Sequence, residues 1–396
     1  MIPKIKFLCL LAFVTVFFFV LPKADACTGL MFSVESLQGA PDGLYAFQAR
    51  TMEFGPDVTG WQLISVPKGY IYKSCKYGIC GSGVFGFNWT AKYQHVGMSP
   101  SRPDIPILDE VADGINEKGL ACGAFYHMGY EEYNTNPITG KAIADTDFVS
   151  WVLSNFATVK EVRDALEQNT VDVAQFTLTI KGKPMCTSKT CPQLHYAVMD
   201  ESGAAIVIEF KKGKAKIFES AGVITNDPTY DWHTTNVQNY IGLQALTRNS
   251  AVFSGKTYNK LGNGTGAIGL PGDFTPPSRF VRAMFFLSTS MPRTGTGPDD
   301  AIADAFRILN QFDIPVGSVI ADSPSGTGQQ IQDSTMWTSL CDLKRKRYYF
   351  HCQKDRTLRM IELAKQPKNA LSIQQLPQQE TIVNVSDAFI PVTNKP

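Results

Sequence analysis

The chain has 396 residues, of which 44% are hydrophobic and 18% are charged, and its formal net charge is +1 at pH 7. This length is enough for one large domain or two ordinary ones. The near balance of charges excludes a strong field that would recruit nucleic acid or an anionic membrane surface. We therefore expect a globular protein with no nucleic-acid partner.

The first 26 residues have the pattern of a secretory signal peptide. Two early lysines precede an apolar run over residues 7–21, and Ala-Asp-Ala stands immediately before Cys27. A charged start, an apolar middle and small residues at the cleavage site are typical of exported precursors. The pattern predicts cleavage after residue 26 and a periplasmic or secreted protein that begins at Cys27, with no membrane span left after processing.

Two other interpretations of this segment stay open. The apolar run could be an uncleaved membrane anchor, although it is shorter than the roughly 20 apolar residues that a spanning helix needs. Cys27 could instead be the lipid acceptor of a bacterial lipoprotein, which Ala26 suits but Ala24 and Asp25 do not. Lipidation would block the thiol, so this interpretation excludes a catalytic role for Cys27.

Short β-rich segments separated by turn residues dominate the rest of the chain. Early strands are expected at 29–34, 44–49, 62–66 and 120–126. Two helical pieces follow within 146–166, and Thr158 with Glu161 three residues later predicts a capping box at the second. Later segments predict strands at 176–180, 194–200, 204–210 and 215–220, helices at 278–291 and 299–310, and two strands within 334–352.

This order of elements predicts an α+β fold in which helices cover sheet layers. The sequence has no internal repeat and no low-complexity linker. We therefore expect residues 27–396 to form a single domain. Glycine-rich segments lack the context of a nucleotide-binding loop, so no nucleotide is expected.

The cysteines predict disulfides and do not predict a metal site. Cys9 lies in the signal segment, and six of the other eight cysteines form close pairs, which we expect to be disulfides in an exported protein: Cys75/Cys80, Cys186/Cys191 and Cys341/Cys352. Cys27 and Cys122 are left unpaired. Neither the cysteines nor the five histidines have the spacing of a metal site, so no metal is expected.

Cleavage before Cys27 would place a free α-amine beside a thiol, which is the arrangement of enzymes with an N-terminal nucleophile. Such an enzyme also needs positive charge near the thiol and donors for an oxyanion. Arg50, Glu53, Asn226 and Arg279 lie in unusual local settings. From spacing alone, Arg50 and Arg279 are also explained as ion-paired structural residues, since most arginines are exposed or paired.

The sequence as a whole resembles the choloylglycine hydrolase family, which contains bile salt hydrolases and penicillin V acylases. The resemblance spans residues 27 to about 350 in family order, and it rests on "CTG" at 27, "QARTMEF", "DGINEKGLACGAFY", "GVITNDPTYDWH", "GNGTGAIGLPGDFTPPSRFVRA" and "MWTSLCDLKRKRYYF". It implies a four-layer αββα sandwich of the N-terminal nucleophile hydrolase type. It also implies hydrolysis of a linear N-acyl amide through an acyl-thioester on Cys27, without a cofactor.

The resemblance also implies roles for five further residues. Arg50 would lie beside the thiol and favour its ionised form, and Glu53 would hydrogen-bond the α-amine. Asn226 would donate its side-chain amide to the oxyanion, and Tyr126 would offer its backbone N–H to the same oxygen and its ring to the substrate. Arg279 would organise the site by charge and hydrogen bonding.

Two positions bear on the activity that the resemblance implies. Glu53 stands where the family normally has Asp, and its extra methylene changes the geometry around the amine. Tyr126 stands where penicillin V acylases carry Tyr and bile salt hydrolases carry Asn. This favours penicillin V or an acyl-homoserine lactone as the substrate, with a conjugated bile salt as the alternative. A catalytically silent, lipid-anchored binding protein is the alternative from another class.

The segment 231–261 is similar to the stretch that carries subunit contacts in tetrameric relatives. We therefore expect a homo-oligomer, either a tetramer or a dimer.

Overall fold

The structure is a computed structural model, and it describes most of the chain from Ala26 onwards. The described residues are 26–35, 43–54, 60–74, 86–101, 109–176, 178–180, 183–186, 191, 193–290, 297–322 and 330–379. The predicted signal peptide, apart from Ala26, and the predicted Cys75/Cys80 pair lie outside them.

The described residues form 23 strands and five α-helices. The strands are β1 (Cys27–Glu35), β2 (Leu44–Phe54), β3 (Gly60–Val66), β4 (Ile71–Lys73), β5 (Asn88–Thr90), β6 (His95–Ser101), β7 (Asp113–Asn116), β8 (Ala121–Tyr126), β9 (Ala142–Ala144), β10 (Asp172–Ala174), β11 (Leu178–Ile180), β12 (Lys183–Cys186), β13 (Leu194–Met199), β14 (Ala205–Lys211), β15 (Lys214–Glu219), β16 (Val223–Ile224), β17 (Ser250–Phe253), β18 (Lys256–Asn259), β19 (Val319–Asp322), β20 (Gln330–Asp342), β21 (Arg347–Cys352), β22 (Asp355–Glu362) and β23 (Ser372–Gln375). The helices are α1 (Phe148–Asn155), α2 (Val159–Glu167), α3 (Tyr230–Asn236), α4 (Pro276–Ser290) and α5 (Pro298–Leu309).

Two large antiparallel sheets form the centre of the molecule. The first, which we call the Cys27 sheet, has seven strands in the order β16-β1-β2-β20-β21-β22, with β19 paired to β20. The second sheet has eight strands in the order β15-β14-β13-β8-β7-β6-β3-β23. The strand that begins with Cys27 therefore lies inside its sheet, between β16 and β2, and not at an edge.

Helices cover the outer faces of both sheets. Helices α4 and α5 pack on β1, and α5 also packs on β2 and β20, whereas α1 packs on β7 and β8. One buried apolar cluster joins the two sheets to α4 and α5 and contains Phe47, Met98 and Phe280. A second cluster joins the second sheet to α1 and α2 and contains Trp151 and Val162. This is the four-layer αββα sandwich that the resemblance implied.

Gly29 shows how closely the sheets approach near the start of β1. A Cβ atom at this position would lie 2.7 Å from Cγ2 of Ile224 and 2.7 Å from Cζ of Phe125. Real Cβ atoms do not approach other atoms so closely, so only glycine fits here unless the Ile224 and Phe125 side chains move. The third residue of the "CTG" sequence is thus a packing requirement beside Cys27.

The predicted strands and helices are found with small shifts of their ends. The helical stretch predicted over 146–166 is divided into α1 and α2. At the start of α2, the Glu161 N–H donates to Thr158 Oγ1 over 3.2 Å, and the Glu161 carboxylate accepts from the Ala157 N–H over 2.6 Å. The capping residues were correct, but the carboxylate reaches one residue further back than a capping box requires.

The predicted Cys341/Cys352 disulfide is wrong. In the β20–β21 ladder, Cys341 is opposite Tyr348 and Cys352 is opposite Trp337, so four ladder positions separate the two thiols. Both are buried free cysteines. At about 3.4 Å per residue, four positions are far beyond the reach of a disulfide.

The remaining cysteines agree with the prediction where the structure describes them. Cys27 and Cys122 are free and buried. Cys191 is disulfide-bonded, while the side chain of Cys186, its predicted partner, lies outside the described residues.

Among the residues described, none of the helices combines the length and the apolar character that crossing a bilayer requires.

Candidate active site

Cys27 is the first residue of β1 and is opposite Met52 of β2. It is completely buried between the sheets. Its Sγ accepts a hydrogen bond from Nη2 of Arg50 over 3.1 Å. In this chain Ala26 is still attached, so the Cys27 nitrogen is a peptide nitrogen that occupies the position an α-amine would take after cleavage.

Arg50 projects from β2 into the space beside the thiol. Its Nη1 donates to the carbonyl of Ala124, and its Nε donates to the carbonyl of Thr51 over 3.2 Å. The guanidinium carbon lies 4.2 Å from the centre of the Phe125 ring and 5.2 Å from that of Trp337. These partners hold the guanidinium in place without neutralising its charge.

Arg50 is not the ion-paired structural arginine that spacing alone left open. No carboxylate of the described residues lies within ion-pair distance of its guanidinium, although the side chain is buried. Burial raises the pKa of the Cys27 thiol above its ordinary value, whereas the charge of Arg50 lowers it. Arg50 therefore acts on the thiol in the direction expected from the resemblance, but burial has the larger effect in the unprocessed chain.

Asn226 and Arg279 form the other side of the site. Asn226 Oδ1 accepts from the Cys27 nitrogen over 2.7 Å and from Nη2 of Arg279 over 2.8 Å. Nη1 of Arg279 donates to the carbonyl of Cys27 and, over 2.9 Å, to Thr28 Oγ1. Arg279 thus joins helix α4 to the first two residues of β1 and to the amide that is expected to serve the oxyanion.

Tyr126 ends β8 and closes the same side of the site. Its carbonyl accepts from Nδ2 of Asn226 over 2.8 Å. Because a side-chain amide carries two hydrogens, Asn226 retains one N–H for another acceptor. Burial is the main cause that raises the pKa of the Tyr126 phenol, so the ring stays neutral at ordinary pH.

Glu53 lies on β2, and it differs in one respect from its expected role. Its Oε1 accepts from Thr335 Oγ1 over 3.1 Å, and its Oε2 has no hydrogen-bond partner among the described residues. Burial raises the pKa of Glu53 to about 8, although the charge of Arg279 opposes this. With Ala26 attached, the Cys27 nitrogen donates to Asn226 and not to Glu53.

The structure brings all six expected residues into one buried site. Their sequence numbers run from 27 to 279, and strands of both sheets, a loop and helix α4 supply them. The Cys27 thiol lies beside the Arg50 guanidinium, which has no ion-pair partner among the described residues. The Asn226 amide and the Arg279 guanidinium bind the backbone of Cys27. These groups can support attack by the sulfur on a carbonyl carbon. This chemistry is acyl transfer.

Sequence reasoning missed three histidines near this site. His127, His195 and His233 are buried, and the His127 and His195 rings stack with their centres 4.2 Å apart. The sequence spacing predicted no histidine cluster, since these residues are far apart along the chain. The available signal was their proximity to the motifs: His127 follows Tyr126 directly, and His233 ends "TNDPTYDWH".

Among the described residues, His127, Glu131 and His195 are the one group whose ligand atoms lie close enough to hold a metal ion, within 4.8 Å of one another. The geometry does not fit an ion. His127 Nδ1 and Glu131 Oε1 are 2.5 Å apart, whereas two ligands of a tetrahedral zinc stand about 3.4 Å apart. The His127 and His195 rings are stacked and inclined by only 10°. The nitrogen lone pairs lie in these two separate ring planes, so they do not point at one common position. A hydrogen bond between His127 and Glu131 fits this spacing.

A four-layer αββα sandwich with a buried cysteine at the start of an inner strand is the architecture of the N-terminal nucleophile hydrolases. The family model described as linear amide C–N hydrolases, choloylglycine hydrolase family, matches residues 27–375. The chain therefore belongs to the choloylglycine hydrolase family, and it is a linear amide C–N hydrolase by that membership.

Similar proteins include a bile salt hydrolase/transferase from Clostridium perfringens, which is 33% identical over 345 residues that cover 86% of this chain and 93% of that protein. A crystal structure of a variant of conjugated bile acid hydrolase from Clostridium perfringens matches with a TM-score of 0.72 at 28% identity, covering 91% of this chain and 100% of that one. Penicillin V acylase from Agrobacterium tumefaciens matches with a TM-score of 0.60 at 26% identity, covering 86% and 87%.

Proposed function

We propose that this protein is an exported cysteine amidohydrolase that cleaves linear N-acyl amides through an acyl-thioester on Cys27. The observation that carries the proposal is the position of the two Cys27 atoms that would react. Its nitrogen lies 2.7 Å from Asn226 Oδ1, and its Sγ lies 3.1 Å from Nη2 of Arg50, both inside the buried site. Removal of residues 1–26 would turn that nitrogen into an α-amine at the start of β1.

In the acylation step, the α-amine takes the proton of the Cys27 thiol, and the sulfur attacks the amide carbon. An unperturbed α-amine has a pKa of about 8, so a useful fraction is neutral near pH 7. The free N–H of Asn226 and the backbone N–H of Tyr126 serve the oxygen that becomes negative. The C–N bond then breaks, and the leaving nitrogen takes the proton back from the ammonium.

In the second step, water replaces the leaving amine. The α-amine takes a proton from the water, which attacks the carbonyl carbon of the thioester. The C–S bond breaks, the carboxylic acid leaves, and the proton returns to the sulfur. Each proton is carried by the α-amine, so the cycle requires no metal and no cofactor.

The substrate that we propose is an N-acyl amide with an aromatic or aliphatic acyl body, such as penicillin V or an acyl-homoserine lactone. Tyr126 supports this choice, because its neutral, partly buried ring borders the site. A conjugated bile salt is the second candidate. It is favoured by the structural matches, in which the conjugated bile acid hydrolase has a TM-score of 0.72 at 28% identity and the penicillin V acylase of Agrobacterium tumefaciens has 0.60 at 26%.

The burial of Cys27 supports catalysis over lipid anchoring. Its side chain is 0% exposed, and its sulfur faces Arg50 and Met52 inside the protein. A diacylglyceryl chain on that sulfur would have to leave the interior through packed side chains. We therefore propose a free enzyme, periplasmic or secreted, and not a silent lipoprotein.

We also propose a homo-oligomer, a tetramer or a dimer, assembled through the segment 231–261. Within it the β17–β18 hairpin is exposed along its whole length, including Val252 and Phe253, which are each 65% exposed. Apolar side chains exposed next to each other on a hairpin are typical of a contact surface.

The first test is the intact mass of the protein purified from an exporting host. The proposal expects a chain that begins with unmodified Cys27. A mass that includes a diacylglyceryl group would overturn it, and so would a chain that retains residues 1–26 yet is fully active.

The second test compares hydrolysis of penicillin V, glycine- and taurine-conjugated bile salts and acyl-homoserine lactones by that processed protein. We expect activity on the first or third class and an acyl adduct on Cys27 in the mass spectrum, with neither in Cys27→Ala. Activity on bile salts alone would reject the substrate class and leave the mechanism standing. Inactivity on all three would reject the proposed substrates.

A further inference from the structure

Three buried histidines contact the backbone of the segment that carries Asn226. His195 Nε2 lies 3.0 Å from the carbonyl oxygen of Thr225, and His233 Nε2 lies 2.9 Å from that of Asn226. His127 Nε2 lies 3.2 Å from the carbonyl oxygen of Pro228. Three separate parts of the fold supply these rings, namely β13, α3 and the residue that follows β8.

The direction of these hydrogen bonds follows from the chemistry of the acceptors. A carbonyl oxygen only accepts, so each Nε2 carries a hydrogen and donates it. Burial lowers the pKa of all three histidines, that of His233 to about 4. Each ring is therefore neutral near pH 7, with its proton on Nε2 and a lone pair on Nδ1.

Two carboxyl groups complete this cluster. Glu131 Oε1 lies 2.5 Å from His127 Nδ1, and Oε2 accepts from the Phe210 N–H over 2.5 Å. Burial raises the pKa of Glu131 to about 8, so the acid is protonated near neutral pH and donates to the imidazole lone pair. Glu209 accepts from the N–H of Tyr230 over 2.6 Å, which fixes the far end of the same segment.

We propose that His127, His195 and His233 are positioning residues, which hold residues 225–228 so that the Asn226 amide faces Cys27. Their influence on the reaction passes through Asn226 alone. The inference rests on the proposed function, because it assigns the histidines to the support of the oxyanion donor. None of the three touches the reacting atoms.

The test replaces His195 by leucine or by glutamine, which differ in whether they can donate a hydrogen bond to the Thr225 carbonyl. In His195→Leu the donor at Nε2 is lost, whereas in His195→Gln the side-chain nitrogen can still donate at that distance. We expect kcat to fall about tenfold in H195L, as for the loss of one hydrogen bond, with KM nearly unchanged. H195Q is expected to recover most of this loss.

The same substitution in the Asn226→Ala background separates positioning from general destabilisation. If the histidine acts through Asn226, H195L lowers kcat less than about twofold once Asn226 is gone. An equal loss in both backgrounds would overturn the proposal. His351→Leu is the matched control, because His351 is also buried but packs against Phe306 of α5, and its kcat is expected to stay at the wild-type value.

A readout that does not depend on turnover is hydrogen–deuterium exchange of the peptide that covers residues 225–231. Exchange is expected to be faster in H195L than in wild type and to be normal in H195Q. If exchange is faster in H195L but the wild-type protein hydrolyses none of the substrates, the positioning role of the histidines stands and the proposed function is rejected. Normal exchange and normal kcat in H195L would overturn the positioning.

If H195L does not fold, His233→Leu and His233→Gln provide the same test at the carbonyl of Asn226 itself. A loss of kcat in H233L that H233Q recovers would support the proposal, and normal exchange with normal kcat in H233L would overturn it.

Discussion

Arg50 reaches the Cys27 thiol from β2, whereas Arg279 reaches the Cys27 carbonyl and Asn226 from α4. Arg50 lies over two aromatic rings and donates to the sulfur, so its charge acts on ionisation. Arg279 binds a carbonyl, a hydroxyl and an amide oxygen, so it acts chiefly on position. We call the Arg50 side of the site, which acts on the ionisation of the thiol, the charge side. We call the side of Arg279 and Asn226, which acts on position, the geometric side.

The strongest test of the geometric side is Asn226→Ala. Loss of one oxyanion donor is worth about 2.7–4 kcal/mol, so kcat should fall by roughly 10²–10³-fold with a smaller change in KM. Steady-state kinetics on the best substrate measures this. Cys122→Ala, a buried thiol outside the site, is the control and should stay active. Near-normal turnover in N226A would remove Asn226 from its role.

The charge side is tested by Arg50→Met. Burial already raises the pKa of Cys27, and removing the cation that lowers it raises the pKa further. Since each pKa unit is a factor of ten in thiolate, alkylation of the thiol by iodoacetamide at pH 7 should slow by about 10–100-fold and recover as pH rises. Arg50→Lys keeps the charge, and its alkylation rate should lie between those of wild type and R50M. An unshifted alkylation profile in R50M would contradict the charge role.

Arg279→Lys should separate the two sides. The variant keeps a positive charge but loses the planar fork that binds Cys27 and Asn226 together. We expect kcat to fall about tenfold, as for one lost hydrogen bond to a charged group, with the alkylation profile close to that of wild type. A large shift of that profile would mean that Arg279 also controls ionisation.

Glu53→Asp is expected to have a smaller effect. The shorter side chain restores the residue usual in the family but moves away from Thr335 Oγ1, which lies 3.1 Å from Oε1 in this protein. The expected change in kcat is within about threefold, the scale of less than 1 kcal/mol. A loss comparable to that of N226A would show that the site is built around the longer acid.

The last prediction concerns stability and not turnover, in Glu131→Gln. Glu131 has a folded pKa of about 8, above its ordinary value of 4.5. Its contribution is therefore fully present below pH 4.5 and is lost as pH rises to about 8. Gln can make the same two hydrogen bonds at every pH, so the free energy of unfolding of wild type should fall relative to that of E131Q between these values.

Urea unfolding of both proteins at pH 5 and pH 9 measures this difference. The charged and titratable groups that face Glu131, among them His127, His195 and Glu209, are the same in both proteins, so their effects largely cancel in the comparison. Parallel pH dependence in the two proteins would show that Glu131 has an ordinary pKa.

Ten of the 23 strands and four of the five α-helices of the described residues lie where the sequence predicted them, and α3 was not predicted. The resemblance pointed to the six residues that the structure brings together, because each family motif carries its residue in a fixed local context. The sequence did not predict register. Cys341 and Cys352 are close in sequence, but the charged turn places Tyr348 opposite Cys341. A pair of cysteines that is not symmetrical about its turn cannot bridge the two strands.

The histidine cluster was missed for a related reason. Pairing of β13 with β8 brings His195 beside His127, 68 residues earlier in the chain, as neighbouring strands of one sheet. No spacing rule reports such a contact, since it depends on the strand order of the second sheet. Local motifs therefore pointed to the residues of the proposed site, whereas long-range topology determines which residues pack around them.

The contacts of Arg279 with Cys27 have a consequence for the timing of assembly. The two residues are 252 positions apart in sequence. Synthesis proceeds from the N-terminus, so Cys27 waits for most of the chain before its contacts with Arg279 can form. A chain that stops before Arg279 holds Cys27 but lacks these contacts. On the proposed mechanism, activity therefore requires synthesis at least as far as Arg279.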